Sequence, residues 1–502
     1  MTETANVLCL RWLGIDTGRE AVIYMRPDCP VCRSEGFGVH ARVRVRAGDR
    51  SIIATVNIIR SDALGEHEAG LSETAAQMLN AQEGTSLTVH HAPALESLSA
   101  VRTKIYGHRL RENSLHDIVR DIASGLYSDV HLSAFVAACA GTNLDRDEMV
   151  FLTRAMIDAG DRLDWGRTPI VDKHCVGGLP GNRTTPIIVA IVAAAGLIMP
   201  KTSSRAITSP AGTADTMETI APVALSPDAI RRIVEKEGGC IVWGGAIRLS
   251  PADDILIRVE RALDLDSEGQ LIASVLSKKA AAGSTHVVLD LPTGATAKIR
   301  SPEAAKTLSD HLIAVAGSVG LTVRAVVTDG SQPVGRGIGP ALEARDVLAV
   351  LRGGADAPID LGQRAASLAG ELLELAGAVA TGEGLNTALA ILSDGRAWRK
   401  FEAICEAQGG MRTPPIAGHR YDIKALRPGR VEYIDNRLLA RTAKLAGAPF
   451  APAAGIEFHA PLDTLVDRGD PLFTIHAETP GELAYAREFL EAHPNIVKVG
   501  GA

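Results

Sequence analysis

Aromatic side chains are scarce in this chain of 502 residues: Phe, Trp and Tyr together make up 4%. Any core must therefore be built from Ala, Val, Leu and Ile. Cysteine is scarce too. Seven cysteines are too few for a disulfide framework, and the odd number fits a reducing compartment. No apolar run is long enough to cross a bilayer. The longest, Ile187 to Met199, is 13 residues between two prolines, whereas a spanning helix needs about 20, so it reads as a buried helix. Nor does any block of one charge sign stand out. Acidic residues exceed basic ones, 59 to 52, for a formal charge of -7, which argues against a nucleic-acid or anionic-membrane partner. The opening MTETANVLCL has no basic segment before an apolar stretch and no cleavage-like site. A cytoplasmic protein is expected.

What is present is a folding chain, 46% hydrophobic and 22% charged, with length for roughly three domains of about 150 residues. Residues 1–90 read as β-rich: VLCLRWLGID, EAVIYM, HARVRVRAG and SIIATVNII are β-branched, partly alternating runs divided by Gly, Asp and Pro. HHAPALESL looks like the exit, with His90 and His91 in a solvated linker. From about 95 to 166 the period is helical. Ser114 and Asp117 suggest a capping-box start, and Gly125 sits where a C-cap glycine belongs. From about 167 to 405 apolar strands such as THVVLDL and TVRAVVTDG alternate with helices, the pattern of an α/β sheet with functional loops at its strand ends. A boundary is read in 411–430, before a last segment of strands, turns and a final helix.

The chemistry concentrates in residues 171–218. Lys173 and His174 lead into a loop with Gly177, Gly178 and Gly181. Thr184 and Thr185 offer N-cap hydroxyls, and Pro186 suits the first helical position. A glycine loop feeding a helix N-terminus presents unpaired N–H groups to an anion, although the same residues also describe a bland turn. Lys201, Ser203, Ser204, Arg205, Thr208, Ser209 and Thr213 then place five hydroxyls and two cations within 13 residues. Gly212 leaves room for a ligand, and Thr213 is placed to cap the next helix. A third element is LDLDSEGQLIASVLSKKAAAG, where Ser267 and Gln270 form a capping box, Asp266 stands just outside, and Ser274 and Lys278 share a helix face. Cys29 and Cys32 form a single CxxC in DCPVC, with only Cys9 nearby. Structural zinc wants four ligands, so a plain turn is expected. GRGIG at 335–339 lacks the last glycine of a dinucleotide fingerprint.

Four motifs, DKHCVGGLPGN, KTSSRAITSPAGTADTMETIAPV, SEGQLIASVLSKK and VTDGSQPVGRGIG, resemble those of the thymidine/AMP phosphorylase family of nucleoside and nucleotide phosphorylases. SSRAITS, the PGN of the glycine loop, PADDILIRVERALDLDSEGQ and the β-rich extension look like the AMP phosphorylase branch. The pyrimidine branch carries an Arg fifteen residues before the helix serine. Here that position is Val259, with Arg258 and Arg261 out of register. Ser274 and Lys278 do match the pair that grips a pyrimidine.

The resemblance implies an α/β multidomain enzyme. It would have a β-rich domain (1–90), a helical domain (91–166 plus 251–283), an α/β phosphate-binding domain with a central sheet (167–250 plus 284–410) and an α+β C-terminal domain (418–502). Hinge closure would bring the helical wall to the phosphate loops. The family's inorganic-phosphate cradle matches Lys173, Thr185, Ser203 and Thr213. The nucleotide site of the AMP branch matches Gly178, Ser204, Arg205, Ala206, Ile207, Thr208, Ser209, Thr213, Ser274 and Lys298, with Lys278 beside them. Asp266 matches the proton donor to the leaving base. No metal and no cofactor is implied, only inorganic phosphate as co-substrate and a small nucleotide or nucleoside. A homodimer or higher homo-oligomer is implied as well.

Two other readings stand beside this one: a thymidine or pyrimidine nucleoside phosphorylase, and a catalytically silent nucleotide sensor. One departure is Cys175, where the family usually has Ser. Cys175 and His174 alternate along an extended segment and point to opposite faces, which argues against a Cys–His nucleophile.

Overall fold

A computed structural model describes residues 7–500, apart from Arg19, Ile207, Thr208, Asp264 and Asp266 and the side chains of Ala246 and Arg261. Three of the residues implicated by resemblance, Ile207, Thr208 and Asp266, therefore lie outside the described residues. The chain divides into two units, Met1–His108 with Arg120–Phe135, and Arg109–Val119 with Val136–Ala502.

The first unit is built on a closed barrel. Its strands are β1 (Val7–Leu10), β2 (Val22–Met25), β3 (Arg42–Ala47), β4 (Arg50–Ile58), β5 (Glu68–Leu71) and β6 (Ser86–His91), ordered β1-β5-β2-β4-β3-β6. Two short helices, α1 (Pro30–Glu35) and α2 (Glu73–Leu79), interrupt them. In RVRVRA the period of two puts Val43, Val45 and Ala47 inside and Arg44 and Arg46 outside. His90 and His91 are the end of β6, paired with Arg44 and Val43, and not a linker.

The helices α3 (Leu98–Ile105), α4 (Glu112–Ala123), α5 (Asp129–Cys139) and α6 (Arg146–Asp158) follow. The α4 helix starts two residues before Ser114, which therefore lies inside it and does not cap it. Gly125 does adopt the left-handed conformation expected after that helix, with φ 71°.

In the second unit β7 (Val171–Cys175), α7 (Thr185–Ala194), β8 (Met199–Ser203), α8 (Thr213–Glu218), α9 (Pro227–Glu237) and β9 (Gly239–Trp243) come first. The chain then leaves the sheet for α10 (Pro251–Leu263) and α11 (Glu268–Ala281). It returns as β10 (His286–Thr293), α12 (Pro302–Ser318) and β11 (Thr322–Asp329). All strand pairings among these are parallel, and a bridge between Ile170 and Ile198 joins β7 to β8. The resulting order is β9-β8-β7-β10-β11. α7 is buried along its length and packs between α14 (Ile359–Leu375) and α16 (Arg396–Ala407), as its all-apolar sequence requires. Between and beside those two run α13 (Pro340–Arg352) and α15 (Gly384–Ser393).

The remaining strands are β12 (Gly337–Ile338), β13 (His419–Lys424), β14 (Gly429–Ile434), β15 (Gly455–Phe458), β16 (Leu465–Val466), β17 (Pro471–Ala477) and β18 (Val497–Val499). They form antiparallel sheets with α17 (Asn436–Leu445) and α18 (Pro480–Ala492). Their core is continuous through Val431, Leu439, Ile456, Phe473 and Ala486. Among the described residues no helix is long and apolar enough to cross a membrane.

Candidate active site

The chain runs outward from β7 to β8 and β9, then returns to the other side of β7 as β10. Strand order thus reverses between β7 and β10, and the crevice beyond their carboxyl ends is where open α/β sheets take ligands. Three loops meet there. Gly178 has φ 84°, and a Cβ on it would lie 2.6 Å from the Lys298 backbone nitrogen in the loop after β10. Gly181 has φ 68°, and a Cβ there would lie 2.2 Å from the Val334 carbonyl in the loop after β11. Glycine is required at both points by the conformation and by the close approach of a second backbone.

The helix entry differs in detail from expectation. Thr185 is the first residue of α7 and Pro186 the second, and Thr184 makes no side-chain cap. Its hydroxyl instead accepts from the Lys173 ammonium at 2.9 Å.

Under the glycine loop lies a buried ionic cluster. The Lys173 ammonium is 3.3 Å from an Asp290 carboxylate oxygen. Asp290 also accepts from Thr328 at 2.6 Å and from the Asn182 amide at 3.3 Å. Asp172, on the opposite face of β7, accepts from Lys201 at 2.9 Å and from Lys279 at 2.6 Å. Burial would raise both carboxyls, but Lys201 and Lys279 hold Asp172, and Lys173 holds Asp290, below the usual range. Burial lowers Lys201 to about 7, with Asp172 opposing and Lys279 adding to the shift. Three lysines against two aspartates give the cluster a surplus of positive charge when all are ionised.

His174 shares the Asp172 face. Burial and the neighbouring Lys279, Lys201, Lys278 and Lys173 push it well below its ordinary range, so its ring is neutral at neutral pH. The Cys175 thiol is raised to about 12 by burial and by Asp290, which makes it a poor nucleophile.

The hydroxyl-rich loop is held by acids that the sequence did not single out. The Asp215 carboxylate accepts from the Ala206 and Gly212 backbone N–H groups at 2.6 and 2.9 Å. Gly212, not Thr213, occupies the cap position of α8. A Cβ on Gly212 would meet Ser204, Arg205 and Ala206 at 2.7 Å, so the glycine serves the loop's closure on itself and not the approach of a ligand.

Arg205, expected at the substrate, is engaged by Glu218 at 2.5 and 3.1 Å and by Asp215 at 3.2 Å, and lies 5.1 Å over the Trp243 ring. In this arrangement it holds the loop. The Thr213 hydroxyl accepts from Arg183 at 2.7 Å, and the same guanidinium reaches Glu343 at 2.7 Å and the Ala211 carbonyl at 2.9 Å. Burial raises the Glu343 carboxyl even against that guanidinium. The Ser203 hydroxyl donates to the Ser204 carbonyl at 3.4 Å, Ser204 is exposed, and Ser209 donates to the Ala211 carbonyl at 2.9 Å.

On the helical wall, Lys278 donates to Ser274 at 3.3 Å and pairs with Asp253 at 2.5 Å. Burial would lower that ammonium, but Asp253 keeps it above its ordinary value. Ser267 accepts from the Gln270 N–H at 3.5 Å, yet the buried Gln270 amide makes no return bond, so only half of the capping box forms. Beside the crevice a cavity of about 390 Å³ is lined by Thr328, Asp329, Gln332, Asp360 and Arg364 among others.

Asp290 was detectable as a carboxylate set in the apolar run VVLDLP. The Arg183–Glu343 pair, 160 residues apart, left no local signal.

Comparison with known proteins agrees with this architecture. Residues 98–160 match the helical bundle domain of the glycosyl transferase family, 167–398 its a/b domain, and 430–496 the pyrimidine nucleoside phosphorylase C-terminal domain. A relative from Acidovorax sp. (strain JS42), named "Putative thymidine phosphorylase 2", is 62% identical over 99% of this chain and 97% of its own length. The chain belongs to the thymidine phosphorylase family. Members bearing the same kind of name in Polaromonas sp. (strain JS666 / ATCC BAA-500) and Legionella pneumophila (strain Paris) are 61% and 57% identical. Each alignment spans 99% of this chain, and 97% and 96% of theirs. The fold this family member shares extends to anthranilate phosphoribosyltransferase from Thermus thermophilus. The TM-score is 0.52 at 21% identity, covering 62% of this chain and 99% of that one.

Proposed function

We propose that this chain cleaves the N-glycosidic bond of a nucleoside 5′-monophosphate of AMP type, or of a nucleoside, with inorganic phosphate as the attacking group. The products are the free base and a (phospho)ribose 1-phosphate. The observation that carries the reading is the buried Lys173–Asp290 pair beneath a glycine loop at the point where strand order reverses, with the Lys201–Asp172–Lys279 set on the other face of β7. Such a site supplies preorganised positive charge and backbone donors, and phosphorolysis asks little else of a protein, because phosphate itself is the nucleophile.

In this reading Lys173, Thr185, Ser203 and Thr213 surround the inorganic phosphate, and no cofactor takes part. Gly178, the Ser204–Ser209 loop, Ser274 and Lys298 face the nucleotide, and Asp266 protonates the departing base. Arg183 and Asp215 act through the loop they hold. The enzyme works as a homodimer or larger homo-oligomer in the cytoplasm.

The nucleotide reading is favoured by Val259, buried where a pyrimidine enzyme would carry a guanidinium, and by the Lys298 backbone packed against Gly178. A second reading, pyrimidine nucleoside phosphorolysis, is favoured by the Ser274–Lys278 pair and by the names of the relatives.

Purified protein with phosphate and, separately, AMP, CMP, UMP, thymidine and uridine tests both. Base release from a monophosphate but not from a nucleoside supports the first. Release from thymidine or uridine alone replaces it with the second. Silence with all five, accompanied by a ligand-induced rise in Tm, would indicate a nucleotide sensor. Asp266→Asn is expected to abolish turnover and leave substrate binding nearly intact.

A further inference from the structure

The barrel contains a thiol pair that the site described above does not use. Cys29 and Cys32 do not lie in a plain turn. They follow the C-terminal end of β2 and open α1, with Cys29 at the cap position, Pro30 first in the helix and Cys32 third. The Cys29 sulfur accepts the Cys32 backbone N–H at 3.3 Å, which holds the Cys29 side chain over the first turn of the helix, where Cys32 stands. Their connection is fixed on both sides. Arg26 grips Asp28 through two bonds of 2.8 Å just before the pair, and Gly36 closes the helix just after it with its N–H on the Cys32 carbonyl at 3.0 Å.

The proximity of the Cys32 thiol and the backbone N–H groups shift Cys29 toward the thiolate, whereas the neighbouring Cys29 and burial shift Cys32 away from it. Among the described residues no group of three or more His, Cys, Asp or Glu is arranged to hold a metal ion, so the pair does not read as half of a metal site.

We propose that Cys29 and Cys32 are a reversible modification site, a dithiol that a hydroperoxide converts to an intrachain disulfide. In the first step sulfur attacks the peroxide. The O–O bond breaks, an S–O bond forms, and water leaves with the thiol proton. In the second step the other thiol attacks the sulfenic sulfur. The S–S bond forms, the S–O bond breaks, and a second water leaves. Two thiols lose two electrons and one hydroperoxide gains them.

Burial selects the oxidant. Cys29 is fully covered and Cys32 exposes 5% of its surface, so reaction requires a local opening, and a water-sized peroxide needs a smaller one than a bulky disulfide. The exposed Cys9 has no partner thiol at this spacing and serves as an internal reference.

The test treats the reduced full-length protein with hydrogen peroxide, alkylates the remaining thiols after denaturation, and maps the peptides. The expected product is a Cys29–Cys32 linkage lighter by two hydrogens and reversed by dithiothreitol. Cys32→Ser should abolish the linkage and accumulate a sulfenic acid at Cys29 that a dimedone probe labels. Cys32→Ala serves as a second variant if the serine disturbs the barrel. Persistence of both thiols while Cys9 oxidises would overturn the proposal, as would over-oxidation of either cysteine without a linkage.

Discussion

Asp290 on β10 stands 3.3 Å from the Lys173 ammonium on the neighbouring β7, and the two side chains expose 0% and 1% of their surface. An ammonium so buried is held by its counter-charge, and removing the partner of a buried pair costs about 3–5 kcal/mol. Asp290→Ala should therefore lower Tm by several degrees and raise KM for phosphate, because Lys173 either loses its proton or swings away. Asp290→Asn, which keeps the acceptor for Thr328, should be milder in Tm and still raise KM. Thermal melts and phosphate titration of the rate separate the two effects.

The loop around Thr213 rests on the Arg183–Glu343 pair. Arg183→Ala would leave Glu343 buried beside Thr216 without its cation and is expected to cost about 3–5 kcal/mol of stability. Arg183→Lys should recover little, since a single ammonium cannot reach Glu343, Thr213 and Ala211 together. The double variant Arg183→Met/Glu343→Leu should be more stable than Arg183→Ala while remaining slow. Denaturant midpoints beside kcat/KM would show it.

Glycine at position 178 is set by conformation and space. In Gly178→Ala the added carbon meets the Lys298 nitrogen at 2.6 Å, on a backbone that costs about 1–3 kcal/mol for a residue with a side chain. A fall in kcat/KM of about tenfold or more is expected, together with a Tm lowered by a few degrees.

Cys175 sits beside Asp290 as a neutral thiol. Cys175→Ser replaces it with a stronger hydrogen-bond donor, and a bond to a charged group is worth about 1.5–3 kcal/mol. KM for phosphate should fall by about tenfold or more and kcat should stay close to that of the parent. An unchanged KM would show that position 175 does not touch phosphate.

Stability against pH has one identifiable contributor in Asp346. Burial raises its carboxyl to about 6, although one of its oxygens accepts the Arg336 and Gly337 N–H groups at 2.7 Å. The folded state binds the proton more tightly than the unfolded chain, whose carboxyl titrates near its ordinary value. This group therefore favours folding at low pH, and that contribution is lost as pH rises through about 4 to 6. Asp346→Asn keeps an oxygen for both N–H groups. The Tm difference between variant and parent should thus move in the variant's favour across that interval and level off above it.

Much of this was legible in the residues. The alternation of RVRVRA gave a strand, the apolar run after Pro186 gave a buried helix, which ends at Ala194 short of the expected Met199, and the glycines of GGLPGN gave a loop that only glycine could form. Two of the details that failed share one cause: a polar group found a distant partner in place of the local one. Thr184 left its cap for Lys173, and Thr213 left its cap for Arg183. Short-range spacing describes what a side chain can reach along its own segment. It does not describe competition from a strand or helix elsewhere in the chain, as far off as the 160 residues between Arg183 and Glu343.

The excursion through α10 and α11 lies inside the crossover from β9 to β10, and Lys279 at its far end closes on Asp172 of β7. The helical wall therefore cannot be exchanged between homologues as a free-standing cassette. A graft of residues 251–281 that changes position 279 without position 172 would leave the buried Asp172 carboxylate with Lys201 alone in place of two cations, and the two positions must travel together in any chimaera.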